Sequence, residues 1–253
     1  MNQYRFIRRN KYFLFPIFLV FLLAAVTLQA DPGNTLIVGD FSRVDSGGVL
    51  PPDWKPLTFK KIKRHTAYSL AEDNGIVVVK AESGSSASGL IRKMRIDPRE
   101  YPLITWQWKV TQVYEAGDVT KKEGDDYPAR LYIAFEYDPT KLSFFEKAKY
   151  TAAKFFYGEY PPMCAINYIW ASNAPEGTTV PNAYSKRSMM IVVESGTHRL
   201  NRWVREARNI LEDFREVFGG EPPMITGVAI MTDTDNTRAS AVSYYGDIVF
   251  QKE

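Results

Sequence analysis

At first sight a chain of 253 residues with 32 Lys+Arg against 29 Asp+Glu is basic, with a formal net charge of +3. Four of the basic residues, Arg5, Arg8, Arg9 and Lys11, stand near the start, and no acidic residue precedes Asp31, so residues 31–253 hold 28 basic against 29 acidic side chains, a formal charge of −1. That balance removes the compositional case for nucleic-acid binding, which rests on a basic surface displacing phosphate counterions.

The first element in chain order is an address. Behind the four basic residues, positions 12–26 are apolar throughout, interrupted only by Pro16, and the segment closes on Thr27-Leu-Gln-Ala30. This pattern predicts a secretory signal peptide over residues 1–30 with cleavage after Ala30. The apolar run is shorter than the roughly 20 residues a spanning helix needs, so an uncleaved anchor is the lesser alternative. The expected location is the periplasm or cell envelope. Residues 31–253 are then long enough for one core and are read as a single domain.

Most of that domain has the two-residue period of half-buried strands. Within 103–110, Ile104, Trp106, Trp108 and Val110 fall on one face and Thr105, Gln107 and Lys109 on the other. The same alternation predicts strands over 130–137, 188–194 and 242–250. Further candidates are 36–41, 57–62, 76–81, 89–94, 165–171 and 225–231. About ten strands separated by Gly, Pro, Ser and Asp turns predict an all-β fold with helical additions, a β-sandwich of jelly-roll or galactose-binding-like type. The Ser/Gly stretch 83–89 reads as a hairpin loop between the strands 76–81 and 89–94.

Two stretches have helical spacing instead. Leu200, Trp203, Val204, Ala207, Ile210, Leu211, Phe214, Val217 and Phe218 recur at three and four residues, with Gly219-Gly220 and Pro222-Pro223 as the stop. They predict one long amphipathic helix covering the sheet, with Arg208 and Glu212 paired on its outer face. The stretch from Leu142 to Phe156 alternates Phe with Lys and reads as a sheet-packing helix, with contact to a membrane surface as the alternative.

Few enzyme classes find their residues here. No phosphate loop, dinucleotide fingerprint or nucleophile elbow occurs, and the two histidines, His65 and His198, lack partners at metal-ligand spacing. The single cysteine, Cys164, lies in a strand pattern and is expected to be a buried thiol.

The carboxylates carry more. Gly124-Asp-Asp-Tyr127 stands just before the strand from Arg130, and Thr232-Asp-Thr-Asp-Asn236 just after the strand ending at Met231. If those strands are antiparallel neighbours, Asp125, Asp126, Asp233, Asp235 and Asn236 converge at one end of the sheet. Such an oxygen-rich group suits calcium, with Asp233 and Asp235 as the expected ligands. It is not an EF-hand, because Arg238 and Tyr244 occupy the positions where Gly and a bidentate Glu are required. The plain alternative is a pair of turns with Arg130 and Arg238 neutralising buried aspartates. Trp170, ahead of a loop rich in Gly and Pro, is expected at a ligand mouth. The candidate binding residues are therefore Asp125, Asp126, Arg130, Trp170, Asp233, Asp235 and Asn236.

The order of these motifs resembles a bacterial domain-of-unknown-function family, the one numbered three thousand and forty-seven. The likeness runs through Leu50-Pro-Pro-Asp-Trp54, Ile104-Thr-Trp-Gln-Trp-Lys109, Gly124-Asp-Asp-Tyr127 with Arg130-Leu-Tyr-Ile133, Tyr168-Ile-Trp170 and Thr232-Asp-Thr-Asp-Asn236. It implies a soluble envelope protein and no established activity. Phe41 with Trp54, and the closing Tyr244-Tyr-Gly-Asp-Ile-Val-Phe250, also resemble the first and last strands of jelly-roll carbohydrate-binding modules. The function expected is non-catalytic binding of a glycan or other polar envelope component. A carbohydrate-active enzyme using Asp126 and Asp233 as acid and base, and an envelope interaction module without a ligand pocket, are the alternatives.

Overall fold

The computed structural model describes residues 33–45, 47–141, 143, 144, 147, 148, 150, 151 and 162–252, all within the unit Asp31–Glu253. The predicted signal segment 1–30 and most of the stretch 142–156 lie outside the described residues. Among the described residues, thirteen strands form two sheets. The first has the order β11 (Val204–Asn209), β6 (Leu103–Val110), β13 (Ser240–Gln251), β4 (Ile76–Gly84), β3 (Ala67–Asp73), with β1 (Thr35–Gly39) also paired to β13. The second has the order β2 (Trp54–Leu57), β5 (Ala87–Ile96), β12 (Ile225–Asp233), β7 (Arg130–Phe135), β8 (Cys164–Ala171), β10 (Ser185–Ser195), β9 (Thr179–Asn182). Pairing is antiparallel except between β8 and β10. The chain crosses repeatedly between the sheets, giving the β-sandwich of jelly-roll type that the alternation predicts.

The alternating residues of β6 are the ones that point inward. Trp106 stacks on Tyr168 of the opposite sheet with ring centroids 5.1 Å apart, and Trp108 faces Trp170 at 6.3 Å. These indoles, with Ile104, Leu131, Ile133, Phe135 and Phe250, are buried from water, and apolar burial is the main force holding the sheets together. Cys164 is buried at the start of β8, as its pattern predicts.

Three local expectations are corrected. The predicted long helix is a strand followed by a short helix: Val204–Asn209 pairs with β6, and α1 spans only Ile210–Phe218. Three- and four-residue spacing of apolar groups fits either state over so short a span. The break is set by Asn209, whose extended backbone and side-chain oxygen cap the amides of Leu211 and Glu212. Arg208 therefore pairs with buried Asp213 rather than with Glu212. Secondly, the Ser/Gly stretch 83–89 is no hairpin loop, because β4 and β5 belong to different sheets and the segment carries the chain across. Thirdly, residues 58–62 are a loop rather than strand, turned by a hydrogen bond from the Ile62 amide to the Phe59 carbonyl. The edge strands β3 and β9 have only partly buried faces and were not legible from periodicity.

Candidate functional site

The two acidic loops meet because β12 pairs antiparallel with β7 in a register that sets Met231 opposite Arg130. The end of one strand thus lies beside the start of the other. Gly124 lets the first loop close: a Cβ there would lie 2.5 Å from the Asp118 amide nitrogen. Asp125, Asp126, Arg130 and Asp233 are all buried, while Asp235 and Asn236 are partly exposed.

Arg130 organises the junction. Its Nε donates to Asp233 Oδ1 at 3.0 Å and one terminal nitrogen donates to Asp233 Oδ2. The same guanidinium donates to the Asp125 carbonyl at 2.5 Å and to the Tyr132 hydroxyl at 3.2 Å, and it lies 4.2 Å from the centre of the Tyr127 ring. The Tyr127 amide donates to Asp233 Oδ1 at 3.0 Å. Burial pushes the Asp233 carboxyl up, and the Arg130 charge pulls it back down. Of the two arginines expected to neutralise the loops, Arg130 does so. Arg238 appears in no described ion pair and stands in left-handed backbone at φ 57°.

Asp126 shapes the second loop. Its Oδ1 accepts from the Asn236 amide at 3.2 Å, and its Oδ2 accepts from the Thr237 amide and hydroxyl at 2.6 Å each. Asp125 accepts from Asn182 Nδ2 at 3.0 Å through both oxygens. Asn182 Oδ1 in turn accepts from the Tyr184 amide, and the Tyr184 hydroxyl accepts from Asn236 Nδ2 at 2.8 Å. The β9–β10 turn is thereby tied to both acidic loops. Asn182 and Tyr184 were missed because β9 is a four-residue edge strand with no strand signal of its own.

Beneath this junction the interior is polar rather than apolar. Thr66, Ser83, Ser86, Thr234 and Ser243 are buried and hydrogen-bonded to one another or to backbone. Thr232 Oγ1 bridges the Pro128 carbonyl and the Tyr245 hydroxyl. In front of it opens a cavity of ≈ 680 Å³, lined by Asp125, Arg130, Asp233, Asp235 and Asn236 together with Asn182, Tyr132, Tyr184 and the loop from Thr58 to Ile62. That volume falls in the range of small-molecule sites, which combine apolar walls with a few fixed polar groups.

Six of the seven predicted binding residues are therefore at one place, five lining the cavity and Asp126 behind the loop that carries Asn236. Trp170 is the exception and the expectation is corrected: it is fully buried between the sheets, with Nε1 donating to the Gly196 carbonyl. Its side chain lies on the inward face of β8, so the loop that follows does not bring it to the surface. His65 and His198 are exposed and lie outside the cavity lining.

The family model for the protein of unknown function DUF3047 matches residues 52–249. The chain belongs to that family. No curated protein matches this DUF3047 chain. Among solved structures, the Emp47p carbohydrate recognition domain is 12% identical at a TM-score of 0.41, with 89% of this chain and 100% of that one covered. The xylan-binding module CBM15 is 11% identical at a TM-score of 0.32, with coverage of 87% and 97%. Endoglucanase 3 of Trichoderma harzianum is 8% identical at 0.41, with coverage of 89% and 100%. Scores this low bring no ligand and no reaction to the DUF3047 chain, and its site has to be read from its own residues.

Proposed function

We propose that this protein is an exported envelope component whose cavity binds a glycan without altering it. The observation that carries the reading is the Tyr184 side chain, 58% exposed at the cavity while its hydroxyl and its amide are held by Asn236 and Asn182. A fixed, exposed ring offers a flat apolar face, and the neighbouring amides and the Asp235 carboxylate offer acceptors and donors in a rigid frame. A pyranose presents that same combination, apolar C–H faces edged by hydroxyls. Phe59, on the 58–62 loop of the lining, adds a second partly exposed ring. Export is supported by the basic and apolar character of residues 1–30.

Catalysis by paired aspartates is the weaker reading. Asp126, Asp233 and Asp235 each bring an oxygen within 4.8 Å of the others, but Arg130 holds both oxygens of Asp233, and Asp126 is bound to the turn at 236–237. A general acid has to reach the glycosidic oxygen, and these two are locked and almost fully buried.

A glycan array followed by calorimetry on the purified protein tests the proposal. Binding of at least one oligosaccharide, weakened tenfold or more by Tyr184→Ala, is the expected result. Binding that Tyr184→Ala leaves untouched would move the site elsewhere, and an array with no binder would remove the glycan reading. Export is checked by sequencing the N-terminus of the protein from a periplasmic fraction, where Asp31 is the expected first residue.

A further inference from the structure

We infer that Asp126, Asp233 and Asp235 form a binding site for a hard divalent cation of the calcium type at the floor of the cavity. The argument starts from the lone pairs left over once the internal hydrogen bonds are assigned. A carboxylate offers about four acceptor positions. Asp233 Oδ1 is filled by the Tyr127 amide and Arg130 Nε, but Oδ2 accepts from Arg130 alone. Asp126 Oδ2 is filled by the Thr237 amide and hydroxyl, but Oδ1 accepts only from the Asn236 amide. Among the described residues no other residue donates to the Asp235 carboxylate. Each of the three aspartates thus keeps at least one acceptor position unfilled, and one oxygen from each lies within 4.8 Å of the other two. Ligands at about 2.3–2.6 Å from a shared ion lie at most about 5 Å apart, so one calcium ion can touch all three.

Two independent observations point to a missing ligand. Four carboxylates, Asp125, Asp126, Asp233 and Asp235, gather at the junction, and the Arg130 guanidinium reaches two of them, Asp233 and Asp125. Buried carboxylates in excess of their counter-charges are costly unless a cation joins them. The hydroxyls of Tyr114 and Tyr127 are also unpartnered, on side chains only 3% and 1% exposed. The Tyr114 hydroxyl stands within electrostatic range of the Asp233 and Asp126 carboxylates. The Tyr127 ring is the one packed on Arg130. Buried hydroxyls without a partner are uncommon, and a hydrated ion would supply water ligands for them to bond. Calcium fits better than magnesium because the ligands come from a turn and a strand end of unequal exposure, and calcium accepts irregular geometry.

The test is calorimetric titration of the chelator-stripped protein with calcium chloride, with no sugar present, alongside thermal melts. Dissociation constants of about 10⁻⁴–10⁻³ M are expected, as for other extracellular modules, with Tm rising by about 3 °C at tenfold excess. Asp235→Asn is the decisive variant, because among the described residues only its own backbone amide donates to its carboxylate, and an Asn oxygen can still accept that bond, so the fold should survive. It is expected to weaken calcium at least tenfold and to abolish the Tm rise. No heat and no Tm change at 10-fold the expected constant, about 10 mM, would overturn the site, as would equal affinity in Asp235→Asn. Because the metal is titrated alone, a failed glycan array leaves this outcome intact, and repeating any glycan titration with chelator shows whether the two ligands depend on each other.

Discussion

Two parts of the same sandwich interior are built on opposite principles. Between β6 and β8 the space is filled by Trp106, Trp108, Tyr168 and Trp170 in ring-to-ring contact. Where β4, β5, β12 and β13 converge it is filled by Thr66, Ser83, Ser86, Thr232, Thr234 and Ser243, closed off by the Arg130–Asp233 pair. The aromatic region gains free energy from every square ångström it removes from water. The polar region gains little, because its hydrogen bonds and ion pair replace ones already available in water. The Arg130–Asp233 pair that closes this polar region also lines the cavity.

The largest expected effect comes from the aromatic side. Trp108→Ala should cost about 3–5 kcal/mol in denaturant unfolding, toward the upper end because it opens a cavity and also strips the indole donor from Glu206, 3.2 Å away. A loss under about 1 kcal/mol would mean that the ring stack is not the core this comparison takes it to be.

Next comes the ion pair, where single and double substitutions should part company. Arg130→Met leaves Asp233 buried against its neighbours without a counter-charge and should cost about 3 kcal/mol. Adding Asp233→Asn removes the stranded charge yet keeps an acceptor for the Tyr127 amide, and most of the loss should return. If the double variant is as unstable as the single one, the polar region is a stability device and the contrast drawn above fails.

A smaller effect arises at the edge of the aromatic region, where β11 borders β6. Glu206 on β11 accepts from Trp108, and burial followed by the charge of Glu194 pushes its carboxyl up to about 7, with Arg199 opposing. The folded state thus prefers neutral Glu206, so its stabilising contribution is complete below about pH 4.5 and disappears as pH rises through 7. Allowing for its partial exposure to solvent, about 1–2 kcal/mol should be lost across that window. Glu206→Gln should flatten this part of the pH–stability profile, and a profile identical to wild type would show that Glu206 titrates normally.

The contrast also explains what the sequence disclosed. The aromatic region was legible because Ile104, Trp106, Trp108 and Val110 alternate strictly, and alternation is a local property. The acidic junction was legible because Asp125-Asp126 and Asp233 to Asn236 flank two strands whose pairing could be guessed. What local pattern could not supply was the third loop: Asn182 and Tyr184 reach the site through a short edge strand. It also misplaced Trp170, since a strand end next to a loop can still point its last ring into the core. Asn209 was the overlooked punctuation, an N-cap inside a run whose apolar spacing suited a helix from the start.

The smallest expected change in stability accompanies the largest in binding, and it falls on Tyr184. Its ring is mostly exposed, so Tyr184→Ala removes little buried surface and should shift unfolding by no more than about 0.5 kcal/mol. Its hydroxyl is the acceptor that steadies Asn236 Nδ2 and its ring forms part of the cavity lining, so a ligand seated there loses both a face and a fixed amide. Tyr184→Phe separates the two contributions, because it keeps the ring and removes only the hydroxyl. Affinity retained in Tyr184→Phe but lost in Tyr184→Ala would assign recognition to the ring face. Equal loss in both would assign it to the Asn236 orientation, and in either case the stability of the aromatic region should remain as it was.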